Sequence, residues 1–293
     1  LCLITNILLI SNIASAQVSA VESAFETAES KGFSGVLLLT VDGKVVFEKA
    51  TGYRSYEQKI PLLTTDVFEM ASVSKQFTAM MVMMCQEKGL LEYSDNADKY
   101  LNIPYKGITI KQLLTHTNGL PDYQAVMDKH WDKNKVADNQ AILEYLRKYH
   151  PPMLAEPGEK YEYSNTAYVF LASIVEKVTG RDFIELSREW IFKPLGMKDT
   201  DIRTLEEKAK ASNFAAGHIK NKNGEYINAN KFHDSDYTVW LGNRKGPGRI
   251  SSTAEDLLIW DQALYNGTLV SEKTLKSAFS PQSLNDCTLS YYG

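Results

Sequence analysis

The sequence predicts a mixed α/β (α+β) fold, and three observations support this prediction. Asp42-Gly43 separates two β-rich runs at 36–40 and 44–49, which is typical of an antiparallel hairpin. From that hairpin to Met197, most of the hydrophobic periodicity is helical. Hydrophobic residues make up 44% and charged residues 23% of the chain, as in an ordinary globular protein. The length of 293 residues suits one large domain or two closely packed lobes.

Six segments combine helical periodicity with recognisable start and stop residues. The predicted helices are Ser74–Lys88, Ile110–His116, Asp138–Tyr149, Thr166–Thr179, Asp182–Ile191 and Thr253–Tyr265. Residues 214–240 are polar, contain glycine and asparagine, and predict no clear element. Because one hairpin does not make a stable sheet by itself, the fold requires further strands.

The first predicted helix opens on Ser72-Val73-Ser74-Lys75. Six apolar residues in a row, at 80–85, leave this helix no polar face, so it is expected to be buried. Lys75 then lies on the first turn of a core helix, where lysine is unusual, one turn from Ser72. A lysine that burial pushes towards neutrality can take a proton from a serine. The pattern therefore favours a serine hydrolase whose base is a lysine.

The same residues also have a purely structural interpretation. Serine is a favoured N-cap, so Ser72 or Ser74 would cap the helix while Lys75 is solvated. A capping box, however, has Glu or Gln three residues after the cap, and Ser72 has Lys75 there. A lysine also opposes the positive end of the helix dipole. Both interpretations stay open, and the catalytic one explains the lysine better.

A second proton-handling group is expected at Tyr163-Ser164-Asn165. Three Tyr-x-Asn sequences occur, at 100, 163 and 226. Only the second follows a proline- and glycine-bearing stretch and leads into a predicted helix. Loops held by rigid elements are where catalytic groups concentrate, so Tyr163 and Asn165 are the candidates.

Several stretches occur in a fixed order along the chain: Ser72-x-x-Lys75, residues 113–121, Pro157-Gly158 ahead of Tyr163-x-Asn165, residues 194–197, and residues 252–257. This ordered set, within about 33–267, resembles the serine β-lactamase and penicillin-binding protein superfamily. It is most similar to the branch of class C β-lactamases, DD-peptidases and related esterases. The resemblance implies a β-lactamase/transpeptidase-like fold, in which helices and a helical subdomain flank an antiparallel β-sheet.

The resemblance also implies an acyl-enzyme mechanism without a cofactor or metal. Ser72 would be the nucleophile, Lys75 its base, and Tyr163 a proton relay to the leaving group. Asn165 would position the substrate and the lysine. Ser94-Asp95-Asn96 matches another element of the superfamily, but it follows Ser72 too closely to return to it, so we interpret it as a turn.

The superfamily's third motif, Lys-Thr-Gly or His-x-Gly on a late strand, does not occur in the sequence. Arg244-Lys245-Gly246 is weakly similar to this motif, but it precedes the helix predicted at 253–265. In the superfamily, the third motif follows that helix. The last residues, 289–293, resemble the entry to a strand. We therefore expect a C-terminal truncation, so that the domain at 17–293 lacks the C-terminal strands of the fold.

The first 16 residues are uncharged, mostly apolar and end in Ala14-Ser15-Ala16, which predicts a signal peptide at 1–16 that is clipped at its N-terminus. The run is too short for stable membrane insertion, so a secreted or periplasmic protein is expected. Cleavage would leave Cys85 and Cys287, and a disulfide between them is possible but not favoured. The net charge of −4 and the scattered lysines argue against nucleic acid.

The five histidines show no metal-binding spacing, and we interpret His116 as structural. Tyr123 and Trp240 fit either the core or the wall of a cleft. The predicted function is a secreted serine hydrolase that acts through a Ser72 acyl-enzyme on an amide, β-lactam or ester. The alternative is a penicillin-binding or receptor-like relative that acylates without efficient turnover. The partner is then a small-molecule or peptide substrate, while its identity and the oligomeric state stay open.

Overall fold

The computed structural model of the protein describes residues 18–232 and 237–292. The predicted signal peptide at 1–16 lies outside the described residues. Within them, no helix combines the length and the apolar character that crossing a membrane requires.

The hairpin predicted around Asp42-Gly43 is confirmed. Strands β1 (Gly35–Val41) and β2 (Lys44–Thr51) pair in antiparallel register, with one irregularity between Leu39 and Thr40. The two turn residues have φ angles of 50° and 73°, the left-handed values that a tight two-residue hairpin requires. The preceding helix α1 (18–30) is adjacent to this hairpin in the chain.

The remaining strands are short and form four further small antiparallel sheets in the described part of the chain. They are β3 (Tyr53–Ser55) with β4 (Ile60–Pro61), β5 (Phe68–Glu69) and β6 (Asp201–Ile202) on either side of β9 (Ile250–Ser252), β7 (His218–Lys220) with β8 (Tyr226–Asn228), and β10 (Gln282–Ser283) with β11 (Leu289–Ser290). The hairpin β7–β8 falls in the polar segment for which the sequence predicted no element.

The helices supply most of the hydrophobic core in the described part of the chain. They are α2 (Ser74–Glu87), α3 (Ile110–Leu114), α4 (Tyr123–His130), α5 (Asn139–Tyr149), α6 (Asn165–Thr179), α7 (Phe183–Ser187), α8 (Lys193–Leu195), α9 (Leu205–Lys210), α10 (Tyr237–Trp240), α11 (Ala254–Asn266) and α12 (Glu272–Ala278). Helices α2 and α6 pack against each other, and both are buried over most of their lengths. Such helices lack a polar face, as the sequence predicted for α2.

Two predicted helices end earlier than expected, for identifiable reasons. Helix α3 stops at Leu114 because the backbone reverses at His116, whose φ is 56°. The helix predicted at 182–191 is α-helical only to Ser187 and continues as a π-helical turn at Arg188–Phe192. Pro194 follows at the start of α8, and proline has no N–H for an α-helical bond to the preceding turn.

The sheet β5-β9-β6 fixes the segment that precedes α2. The Met70 N–H donates to the Ile250 carbonyl oxygen at 2.8 Å, and the Ile250 N–H donates to Ser74 Oγ at 3.1 Å. The start of α2 is therefore attached to β9 on both sides of the turn that carries Ser72.

Candidate active site

Ser72 lies in a single 3₁₀ turn, Ala71–Val73, between β5 and α2. Its side chain is exposed. Ala71 has a φ of 44°, which places a non-glycine residue in the left-handed region immediately before the serine. Strained backbone of this kind is often found at functional sites. Neither Ser72 nor Ser74 caps the helix, because the N-cap position is Val73 and it makes no side-chain hydrogen bond.

Lys75 is only 2% exposed and lies beside Ser72. Its Nζ donates to Ser72 Oγ at 3.2 Å, to Asn165 Oδ1 at 2.8 Å and to the Pro247 carbonyl oxygen at 2.9 Å. Burial, with a smaller contribution from the positive charge of Arg244, lowers the pKa of the Lys75 amine from 10.5 to about 7. A substantial fraction of this amine is therefore neutral at neutral pH.

The loop that enters α6 brings the second pair of predicted residues to the same place. Ser164 is the N-cap of α6, and its side chain accepts a hydrogen bond from the Ala167 N–H. Asn165 is the first residue of α6, and its amide oxygen accepts a hydrogen bond from Lys75 Nζ. Tyr163 is 45% exposed, and the centroid of its ring lies 4.7 Å from Lys75 Nζ.

The contact between Tyr163 and Lys75 involves the ring face. In residues 18–232 and 237–292, no hydrogen bond joins the Tyr163 hydroxyl to Lys75 or Ser72. Catalytic hydrogen bonds are often long or misaligned without substrate, so the relay function stays a prediction. The structure thus brings all four predicted residues together, with Ser72, Lys75 and Asn165 joined by direct hydrogen bonds and Tyr163 in contact through its ring.

His116 holds the tyrosine loop in place. Its carbonyl oxygen accepts from the Glu162 N–H at 2.7 Å, and its Nδ1 accepts from the Ser164 N–H at 2.9 Å. The ring also contacts the Tyr163 ring, with centroids 4.5 Å apart. Burial, with a further contribution from Lys75, lowers the pKa of His116 to about 4, so the ring is neutral and can accept. This agrees with the structural interpretation of His116 and gives it a position next to the site.

The segment between α10 and β9 contributes the backbone on which the site rests. The Gly246 carbonyl oxygen accepts from Thr78 Oγ1 at 2.8 Å, and the next residue, Pro247, supplies its carbonyl oxygen to Lys75. Gly246 has a φ of 107°, and a Cβ there would lie 2.1 Å from the Tyr168 carbonyl oxygen. Only glycine fits this close approach.

Ser72 lines a cleft with a volume of about 760 Å³. Asn165 and Arg244 line it as well, and Nη1 of Arg244 donates to the Tyr123 hydroxyl at 2.9 Å. In the sequence, Arg244 stands out only as part of the displaced tripeptide at 244–246. Its proximity to Ser72 arises from tertiary packing, and no local pattern indicates it.

The other residues singled out in the sequence lie elsewhere. Tyr123 is buried behind Arg244, and Trp240 is part of the hydrophobic core. Ser94 lies in an exposed turn, as predicted, and does not line the cleft. Cys85 is buried and Cys287 exposed, and both are free thiols. Across the described ranges, no cluster of three or more His, Cys, Asp or Glu side chains has the arrangement to hold a metal ion.

A family model and several similar proteins match most of this chain. The family described as Beta-lactamase matches residues 21–287. Penicillin-binding protein 4* of Bacillus subtilis (strain 168) is 37% identical over 277 residues, which cover 93% of this chain and 61% of the relative. The chain therefore spans about three fifths of the length of this relative.

Two solved structures are similar over most of the chain. The penicillin-binding protein of Bacillus halodurans has a TM-score of 0.78 at 26% identity, covering 91% of this chain and 79% of the other. The D-amino acid amidase of Ochrobactrum anthropi SV3, complexed with D-phenylalanine, has a TM-score of 0.71 at 25% identity, covering 91% and 76%. These similarities confirm the predicted β-lactamase/transpeptidase-like fold. With the family match over most of its length, this chain belongs to the beta-lactamase family.

Proposed function

We propose that the protein is a serine hydrolase that forms an acyl-enzyme on Ser72. One observation carries the proposal: a buried lysine amine, with its pKa lowered to about 7, donates to Ser72 Oγ at 3.2 Å. An ordinary surface lysine is almost fully protonated at neutral pH and is no base. Here the neutral form is available where a serine proton must be removed.

In the acylation step, Ser72 Oγ attacks the carbonyl carbon of an amide, β-lactam or ester. The Oγ–C bond forms while the hydroxyl proton moves to Lys75 Nζ. The Ser72 backbone N–H supplies one hydrogen bond to the oxyanion of the tetrahedral intermediate. When that intermediate collapses, the bond to the leaving group breaks, and the proton passes to the leaving nitrogen or oxygen through the Tyr163 hydroxyl. Water then hydrolyses the acyl-enzyme and regenerates Ser72.

Asn165 has a positioning function in this proposal. Its amide oxygen fixes one N–H of the lysine, and the Pro247 carbonyl oxygen fixes another. The remaining donor direction is the one towards Ser72 Oγ. When the amine is neutral, these two acceptors orient its lone pair relative to the serine without adding a negative charge that would raise its pKa.

Two further observations support a location and a substrate class. The apolar leader at 1–16 supports export, so we propose a secreted or periplasmic protein. The similar proteins are named as penicillin-binding proteins and a D-amino acid amidase, which supports acyl compounds with an amide or β-lactam bond as substrates.

Intact-mass spectrometry after incubation with a fluorescent penicillin, a fluorophosphonate and 4-nitrophenyl acetate tests the proposal. We expect one adduct, which peptide mapping places on Ser72 and which is absent from Ser72→Ala. Ser94→Ala is the matched control, because Ser94 is an exposed serine outside the cleft. An adduct that persists in Ser72→Ala would exclude Ser72 as the nucleophile.

A second candidate function, acylation without efficient turnover, is supported by the 37% identity to a penicillin-binding protein. The lifetime of the adduct distinguishes the two. A mass that returns to that of the free protein within seconds to minutes supports a hydrolase, and an adduct that persists for hours supports the penicillin-binding alternative.

A further inference from the structure

Asn139 is a buried asparagine whose side chain binds the backbone of a distant segment. It is the first residue of α5, directly after the N-cap Asp138, and is only 4% exposed. Its Oδ1 accepts from the Lys245 N–H at 2.7 Å, and its Nδ2 donates to the Lys245 carbonyl oxygen at 3.1 Å. The amide therefore pairs with both backbone groups of one residue, as a hydrogen-bonded residue on a neighbouring antiparallel strand would.

These two bonds hold the loop at 244–248, which carries groups that surround Lys75. Pro247 supplies the carbonyl oxygen that accepts from Lys75 Nζ at 2.9 Å. Arg244 supplies the positive charge that contributes to the lowered pKa of the lysine. Asn139 itself does not line the cleft. An effect of Asn139 on the chemistry in the cleft is therefore transmitted through the loop.

The same amide connects the loop to α6. Nδ2 of Asn139 donates to the Val169 carbonyl oxygen at 3.3 Å and to Ser173 Oγ at 3.2 Å, so its two N–H groups are shared among three acceptors. Both of these additional acceptors lie on α6, the helix that begins with Asn165. Since Asn165 Oδ1 also accepts from Lys75 Nζ, Asn139 connects the two elements that orient the lysine amine.

We propose that Asn139 is a positioning residue for the acylation of Ser72. By holding the loop at a fixed distance from α6, it keeps Pro247 and Arg244 in place around Lys75. This inference rests on the proposed acyl-enzyme function and adds to it a residue outside the cleft. A merely structural asparagine would contribute to stability and leave the acid–base behaviour of the site unchanged.

Displacement of the loop changes the proton affinity of Lys75 in a defined direction. Water that enters around the amine reduces its desolvation, and a displaced Arg244 repels the charged form less. Both changes raise the pKa of Lys75 from about 7 towards 10.5. Water also replaces the Pro247 carbonyl oxygen as an acceptor, so the loss of that hydrogen bond offsets little of the rise.

The other titratable groups that face Lys75 are His116, Tyr163 and Tyr168. The two tyrosines present their rings, with centroids 4.7 Å and 5.6 Å from Lys75 Nζ. Burial lowers the pKa of His116 to about 4 and raises the pKa of Tyr168 well above 10, so neither becomes charged between pH 6 and pH 9. A change in the pKa of Lys75 therefore reports on the loop.

Two substitutions remove the contact between Asn139 and the loop. Asn139→Leu has a similar size and no hydrogen-bonding group. Asn139→Ser is the milder variant, because its short polar side chain leaves room for water beside the Lys245 backbone. The ion pairs of the Lys245 side chain with Glu176 at 2.6 Å and Asp182 at 2.8 Å remain in both variants and help to keep the loop folded.

The readout is the rate of Ser72 acylation by 4-nitrophenyl acetate as a function of pH. In both variants we expect the midpoint of the profile to rise by about one pH unit or more, because the lysine is less desolvated. The rate at pH 7 should fall about 5-fold for the first unit and should recover most of this loss by pH 9. A merely structural role lowers the rate by the same factor at every pH.

Ile142→Val is the matched control. Ile142 is buried in the same helix and has no hydrogen-bonding side chain, so this variant loses stability without losing a contact to the Lys245 backbone. Its midpoint should equal that of the wild-type protein. Hydrogen exchange of the backbone amides at 244–248 should be faster in the Asn139 variants and unchanged in Ile142→Val.

A midpoint that stays the same or falls in the Asn139 variants overturns the inference and leaves the Ser72 mechanism in place. Exchange at 244–248 that is as slow as in the wild-type protein overturns it as well, and so does an equal midpoint shift in Ile142→Val. If Asn139→Leu does not fold, the result for Asn139→Ser decides. A wild-type protein that forms no Ser72 adduct overturns the proposed function, and the inference with it.

Discussion

Replacement of Lys75 by methionine should abolish the rise in stability between pH 7 and pH 9 that the buried lysine produces. Lys75 is 2% exposed, and its pKa is about 7 in the folded protein against 10.5 for an ordinary lysine. Between these two values the unfolded chain binds more protons than the folded one. The free energy of unfolding therefore increases with pH across this window.

The size of this effect follows from the two pKa values. Below pH 7 both states are protonated, and the full cost of burying the cation is present. Above pH 7 the folded state loses the proton first, and each pH unit relieves up to about 1.4 kcal/mol. From pH 7 to pH 9 the lysine should contribute about 2 kcal/mol of additional stability, which Lys75→Met lacks.

Chemical denaturation at several pH values measures this difference. The free energy of unfolding of the wild-type protein minus that of Lys75→Met isolates the lysine from other titrating groups. Lys88→Met is the matched control, because Lys88 is exposed at the end of the same helix and should leave the pH dependence unchanged. Parallel pH dependence in the wild-type protein and Lys75→Met would refute the low pKa of Lys75.

Three further predictions concern His116, Asn165 and Gly246. His116→Leu removes the acceptor of the Ser164 N–H, and we expect its kcat/KM for acylation to fall on the order of 10-fold or more. His116→Asn keeps a hydrogen-bond acceptor and tolerates the positive φ, so it should retain more of this activity than His116→Leu. Asn165→Asp places a carboxylate on Lys75, so the midpoint of the pH–rate profile should rise above 7 and acylation at neutral pH should slow. Gly246→Ala should lower the free energy of unfolding, measured by chemical denaturation, by several kcal/mol, because its Cβ would collide with backbone. Gly89→Ala is the control, because the added Cβ lies in open space at a φ of 69°. It should lower the free energy of unfolding by only about 1 kcal/mol.

Local patterns were sufficient to predict the Ser72–Lys75 pair. The two residues are three positions apart at the start of a helix, and the apolar run that follows indicates the burial of that helix. The hairpin at Asp42-Gly43 was equally predictable, because its turn residues and its alternating strands are adjacent in the chain. In each case the interaction that matters is made within a few residues.

Contacts between distant segments could not be predicted in the same way. The Pro247 carbonyl oxygen that binds Lys75 comes from 172 residues further along the chain. Arg244 reaches the cleft through the same tertiary arrangement, and the sequence offered only a resemblance to a displaced motif. The short helices α4, α9 and α12 were also missed, because their hydrophobic patterns extend over too few turns to stand out.

The central claim is that Lys75, neutral in part at pH 7, activates Ser72 for acylation. The most direct test is the rate at which 4-nitrophenyl acetate forms an adduct on Ser72. This rate is measured from pH 5 to pH 9 by quenched-flow mass spectrometry. We predict a rate that rises along a single titration with a midpoint of about 7 and that Lys75→Met abolishes. A rate that is independent of pH across this range, or an adduct that forms equally fast in Lys75→Met, would contradict the account.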